Sequence, residues 1–170
     1  MNVAIPFIVL AFIFSATSQS CDRKIFNKLE EIQRELKKIQ TTHFRGCKPG
    51  WKRYQNHCYA FFRHGMNWFE AQMYCRQRGG FLVHIDNYKE NYWVASHFRQ
   101  ENLWIDGTDI AREGYWKSFS TGHFVFTNWS KGEPNNAGRS QHCAKINYGG
   151  LGKWDDDTCF TKYSFICEVS

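Results

Sequence analysis

The chain has 170 residues, of which 42% are hydrophobic, 18% aromatic and 22% charged. That length holds one ordinary domain with a short appendage and excludes an enzyme carrying a separate cofactor domain; three Pro and thirteen Gly exclude a collagen-like or low-complexity chain. The net charge of +6 arises in residues 21–53, where ten Lys/Arg meet four Asp/Glu, whereas residues 54–170 hold twelve of each sign. A basic segment on a neutral body suits an anionic surface such as acidic glycan or lipopolysaccharide, or is a solvated helix face; it does not suggest nucleic acid.

Residues 4–14 form an apolar run, followed by the small polar stretch 15–20. The run is too short to span a bilayer, so 1–20 reads as a secretory signal peptide rather than a membrane anchor. Secretion gives the seven cysteines their meaning as a disulfide framework. They are Cys21, Cys47, Cys58, Cys75, Cys143, Cys159 and Cys167, with no Cys-x-x-Cys pair. The odd number leaves one over, and the sequence alone leaves the pairing open.

Residues 22–40 read as a helix. Ile25, Leu29, Ile32, Leu36 and Ile39 recur at alternating spacings of four and three, the seam of a coiled coil. So short a helix needs a partner. Cys21 stands just before it and is the candidate for an inter-chain bond, so 21–46 is expected to be a helical stalk and linker that joins copies into a disulfide-linked homo-oligomer. The plainer alternative is a lone thiol on a frayed end.

From residue 47 the texture changes to dense aromatics and short elements. Asn67 and Glu70 have capping-box spacing ahead of a helix over 67–76, and Asn87 and Glu90 open a second over 87–98. Strands are expected at 103–105, 123–127, 144–146 and 165–169. A helical first half and a strand-rich second half make an α+β domain.

Two polar clusters carry chemistry: Glu133-Pro134-Asn135-Asn136, and Trp154-Asp155-Asp156-Asp157 with Gln141, His142 and Cys143 between them. Carboxylates and amide carbonyls are hard oxygen ligands, which suit calcium. The alternative is a hydrated acidic loop.

The aromatic body, Leu103-Trp104-Ile105, Asn128-Trp129, Glu133-Pro134-Asn135, and Trp154-Asp155-Asp156 followed by Cys159 and Cys167 resemble a C-type lectin domain over residues 47–170. The resemblance implies a disulfide-stapled fold of two short helices and small antiparallel sheets with a long calcium-binding loop region. It implies the pairs Cys47–Cys58, Cys75–Cys167 and Cys143–Cys159, which leaves Cys21 over. Its main calcium and carbohydrate site maps to Glu133, Asn135, Gln141, Asp155 and Asp156, with a cis Pro134. Here Gln141 stands where Glu is usual and Asp155 where Asn is usual, so one acid has moved and none is lost.

A second, auxiliary calcium position maps to Asp109, Glu113 and Asn136, with His142 in place of an acid; imidazole is a poor calcium ligand. The family links Glu-Pro-Asn with mannose-type sugars. The exchange at Gln141 and Asp155 inverts donor and acceptor in the second ligand pair, so galactose-type binding is the alternative. Ala137 stands where galactose binders often carry a stacking Trp. The expected function is that of a secreted, calcium-dependent lectin, not an enzyme, recognising glycans on microbial or cell surfaces in innate immunity. A calcium-independent protein- or surface-binding domain of the same fold is the rival. No nucleophile motif supports a hydrolase. Asn128-Trp129-Ser130 is the one N-glycosylation acceptor sequence.

Overall fold

A computed structural model describes residues 23–38, 46–100, 102–124 and 126–170. The expected signal peptide, Cys21 and most of the linker lie outside the described residues. The chain divides into two compact units, Met1–Gly46 and Cys47–Ser170. In the first, residues 23–38 are helical (α1). Ile25, Leu29, Ile32 and Leu36 are about half exposed on it. Among the described residues, no helix is long and apolar enough to cross a membrane.

The second unit opens with β1 (Lys52–Tyr54) and β2 (His57–Met66), two strands in the half expected to be helical. The helices follow as α2 (Trp68–Gln77) and α3 (Tyr88–His97). Asn67 caps α2 by accepting from Glu70 N while the Glu70 side chain accepts from Asn67 N, a complete capping box. Asn87 accepts from Glu90 N at the start of α3. The remaining strands are β3 (Phe81–Leu82), β4 (Leu103–Thr108), β5 (Lys117–Ser118), β6 (Cys143–Ile146), β7 (Trp154–Asp157) and β8 (Tyr163–Val169).

These strands form one sheet in the order β1-β2-β8-β4-β6-β7, with β3 added to β8 and β5 to β4. All pairs are antiparallel except β4 with β8. Both faces of its centre are buried, as the alternation of side chains shows. Leu103 and Ile105 of β4 and Ile166 of β8 join a cluster with Val94 and Ala95 of α3. Trp104, Phe165 and Cys167 point the other way, to Trp68, Ala71 and Cys75 of α2. Thus one helix closes each face. Disulfides join Cys47 to Cys58, Cys75 to Cys167 and Cys143 to Cys159.

The strand expected at 123–127 is absent: its described residues are irregular. Phe124 and Phe126 both pack on Trp154, with ring centroids 5.8 Å away in each case. Their alternate spacing therefore reflects two aromatic anchors of a loop, not a hydrogen-bonded strand. Gly107 allows this loop to approach closely, since a Cβ there would lie 2.7 Å from the Phe124 ring and 2.8 Å from Ala144 Cβ. Beside it, Asp106 is buried and accepts from Ser118 Oγ at 2.7 Å, from Ser120 N at 3.0 Å, and from Gln72 and the Ser120 hydroxyl. Burial raises its carboxyl above the ordinary range, against those bonds.

Candidate functional site: a carboxylate cluster at the edge of the sheet

β7 is the last strand of the sheet, and its side chains carry the acids. Its register against β6 pairs Asp155 with Lys145, Asp156 with Ala144 and Asp157 with Cys143. Residues 154–157 are therefore a strand and not a hydrated acidic loop: Asp155 is 4% exposed and Asp156 fully buried. The anchor is Trp154, fully buried, whose indole donates to Asn91 Oδ1 at 2.7 Å. The free side of β7 is covered by residues 128–130. Trp154 N donates to Asn128 O at 3.0 Å and Ser130 N to Trp154 O at 2.8 Å. Trp129 is partly buried and packs edge-to-face on Trp116 and Trp154.

That attachment delivers the next loop to the acids. The Glu133–Pro134 bond is cis. Asp156 accepts from the two backbone amides beyond it, Asn135 N at 2.9 Å and Asn136 N at 2.8 Å. One oxygen each of Glu133, Asp155 and Asp156 lies within 4.8 Å of the others. Glu133 Oε2 is buried with no hydrogen-bond partner. Burial and the charges of Asp155 and Asp156 push the Glu133 carboxyl up to about 7. Asn135 Oδ1 and Gln141 Oε1 converge on Ala137 N, at 2.8 Å and 2.6 Å. Each carbonyl oxygen keeps a second lone pair. Glu133, Asp155 and Asp156 are thus brought together, and Asn135 and Gln141 meet each other at Ala137 N on the 133–141 loop.

Lys145 is a residue of this site that sequence reasoning passed over. It is 4% exposed, and its ammonium lies 3.0 Å from Asp155 Oδ2 and 2.6 Å from Asp157 Oδ2. Burial raises the Asp155 carboxyl and Lys145 opposes it, with a net upward shift. For Asp157, burial is outweighed by Lys145 and by the Tyr163 hydroxyl at 2.7 Å, so its carboxyl lies below the ordinary range. The signal for Lys145 was its place between the apolar Ala144 and Ile146 of a strand, where a charge needs a buried partner.

A second cluster sits nearby. One ligand atom each of Asp109, Glu113 and His142 lies within 4.8 Å of the others. Asn136 belongs to this neighbourhood, but its Nδ2 faces Glu113 Oε2 at 2.6 Å while its Oδ1 accepts from Gln141 N at 2.9 Å. It therefore turns a donor, not the carbonyl oxygen expected of a calcium ligand, toward Glu113.

The family model described as the lectin C-type domain matches residues 64–169. The chain belongs to the C-type lectin family. A perlucin-like protein of Mytilus galloprovincialis is 33% identical to this lectin-family chain over 71% of the chain and 81% of the relative. The galactose-specific lectin nattectin of Thalassophryne nattereri is 32% identical, over 71% and 79%. Among solved structures, the carbohydrate-recognition domain of mouse scavenger receptor C-type lectin superposes with a TM-score of 0.68 at 32% identity, covering 72% of this chain and 97% of that one. Two of these three carry lectin names, and the family is carbohydrate-binding.

Proposed function

We propose that this chain is a secreted, calcium-dependent lectin that binds mannose-type or related glycans on microbial or cell surfaces. The observation that carries the proposal is the gathering of Glu133, Asp155 and Asp156 within 4.8 Å, with a buried and unpartnered Glu133 Oε2. The donor set is all oxygen, and a buried carboxylate group of this kind needs a cation partner. Glu133, Asn135, Gln141, Asp155 and Asp156 would hold calcium.

When bound, that ion supplies open coordination positions to two vicinal sugar hydroxyls. The chain's own residues do the reading. Glu133 and Asp155 carboxylates accept hydrogen bonds from sugar hydroxyls, and the Asn135 and Gln141 amides donate to hydroxyl oxygens. Asp156 holds the loop by its two backbone amides, so the amide and carboxylate positions are fixed before sugar arrives. Lys145 restrains Asp155 Oδ2 from behind.

Multivalency comes from the stalk. The apolar stripe of Ile25, Leu29, Ile32 and Leu36, 48–56% exposed, is the face on which copies associate, with Cys21 as the inter-chain bond. Agglutination in innate immunity would follow from joining weak single sites.

A galactose-type preference is the second reading. Gln141 and Asp155 invert one donor–acceptor pair, and nattectin is named as galactose-specific. A glycan panel probed with the full secreted chain, with calcium and with a chelator, separates the cases. Mannose, glucosamine or fucose ligands lost on chelation are expected. Galactose ligands lost on chelation would select the second reading, and binding that survives chelation would overturn calcium dependence.

A further inference from the structure

We infer that Asp109, Glu113 and His142 form a binding site for a transition-metal ion of the zinc class, and not a second calcium site. The donor set is the first reason. Calcium takes oxygen ligands, six to eight of them, whereas zinc accepts imidazole nitrogen and carboxylate oxygen together, commonly with water completing four positions. This cluster offers one imidazole and two carboxylates. The amide that should have added an oxygen is turned away, since Asn136 Oδ1 is held by Gln141 N and its Nδ2 is toward Glu113.

Spacing is the second reason. Ligand atoms about 2.0 Å from a tetrahedral ion lie about 3.3 Å from one another. His142 Nδ1 is 2.9 Å from Asp109 Oδ1 and 3.5 Å from Glu113 Oε2, on either side of that value. In the ion-free site the Nδ1–Asp109 contact is a hydrogen bond, and an ion would take the place of its proton. Two carboxylates then match a divalent charge.

Preorganisation is the third reason. Asp109 is 1% exposed, and its Oδ2 accepts from Gly114 N at 2.8 Å. The backbone of His142 is held from both sides: its carbonyl accepts from Thr108 Oγ1 at 2.7 Å and Asp109 N at 3.2 Å, and its amide donates to Asp157 O at 3.1 Å. The Asn136 amide holds Glu113. Outer partners of this kind orient metal ligands. Glu113, with its side chain 59% exposed, leaves an open side for ion entry.

The test uses the full chain in saturating calcium, with cobalt(II) as a visible probe and zinc as competitor. One cobalt per chain is expected, with the absorption of a tetrahedral nitrogen–oxygen site, displaced by zinc and not by further calcium. His142→Gln and, separately, Glu113→Gln should each weaken zinc by about tenfold or more. Circular dichroism checks that both remain folded, and Glu113 is exposed enough that its change leaves the core untouched. Glu133→Gln should weaken calcium and keep cobalt. No cobalt uptake by folded chain, uptake unaltered in both ligand variants, displacement by calcium, or loss of cobalt in Glu133→Gln would each overturn the assignment.

Discussion

Glu133 is crowded by burial and by Asp155 and Asp156 until its carboxyl sits at about 7, close to neutral pH. Calcium needs the ionised form, so protons compete with it. Calcium affinity is expected to weaken as pH falls through about 7, and calorimetric titrations on either side of that pH read the change; an affinity independent of pH contradicts it. Glu133→Gln should weaken calcium by about tenfold or more while leaving the fold intact, because ligand charge sets affinity. Lys145 behaves differently. Lys145→Met strands Asp155 and Asp157, both largely buried, and is expected to cost about 3–5 kcal/mol by denaturant unfolding. A cost near zero would mean that those carboxylates find water.

Elements differed in how plainly they were written. The helices were legible because their caps are local: Asn67 with Glu70, and Asn87 with Glu90, set each start within one turn. β2 was not, because its pattern breaks. Its pairing with β8 shifts between Phe62 and Met66, and Arg63, His64 and Gly65 are exposed, so no clean alternation survives. The same limit worked in reverse at 123–127, where alternating Phe residues mimic a strand that has no partner. β7 was not among the expected strands, because three adjacent acids look solvated, although β6 supplies a lysine and a ladder that bury them. The acids that the fold gathers, Glu133, Asp155 and Asp156, were legible as hard oxygen donors; the Lys145 pairing and the turn of the Asn136 amide depend on tertiary register. On the stalk, the four-and-three spacing of Ile25, Leu29, Ile32 and Leu36 predicts that Cys21→Ser reduces agglutination while single-site sugar binding persists. Unchanged agglutination and unchanged size on a non-reducing gel would contradict it.

At the scale of the whole molecule, the lectin domain is a sheet buried on both faces, with the site on its edge strand and disulfides tying distant segments. Cys75 and Cys167 are separated by 92 residues and link α2 to β8. Closing a loop of that length is worth about 4–5 kcal/mol in the chain-entropy model, so Cys75→Ala with Cys167→Ala should lower the unfolding midpoint strongly. A midpoint within experimental error of the parent would mean that packing alone holds that junction. Stability of the sheet is what lets Asp156 fix the 133–141 loop, and the loop in turn is what sugar would meet. The most direct measurement is retention of the full chain on a mannan resin in calcium, followed by chelator. Retention followed by release on chelation, with Glu133→Gln passing straight through, is the predicted result. Retention that chelator leaves intact, or a folded chain that no mannose- or galactose-bearing resin retains in calcium, would contradict a calcium-dependent lectin.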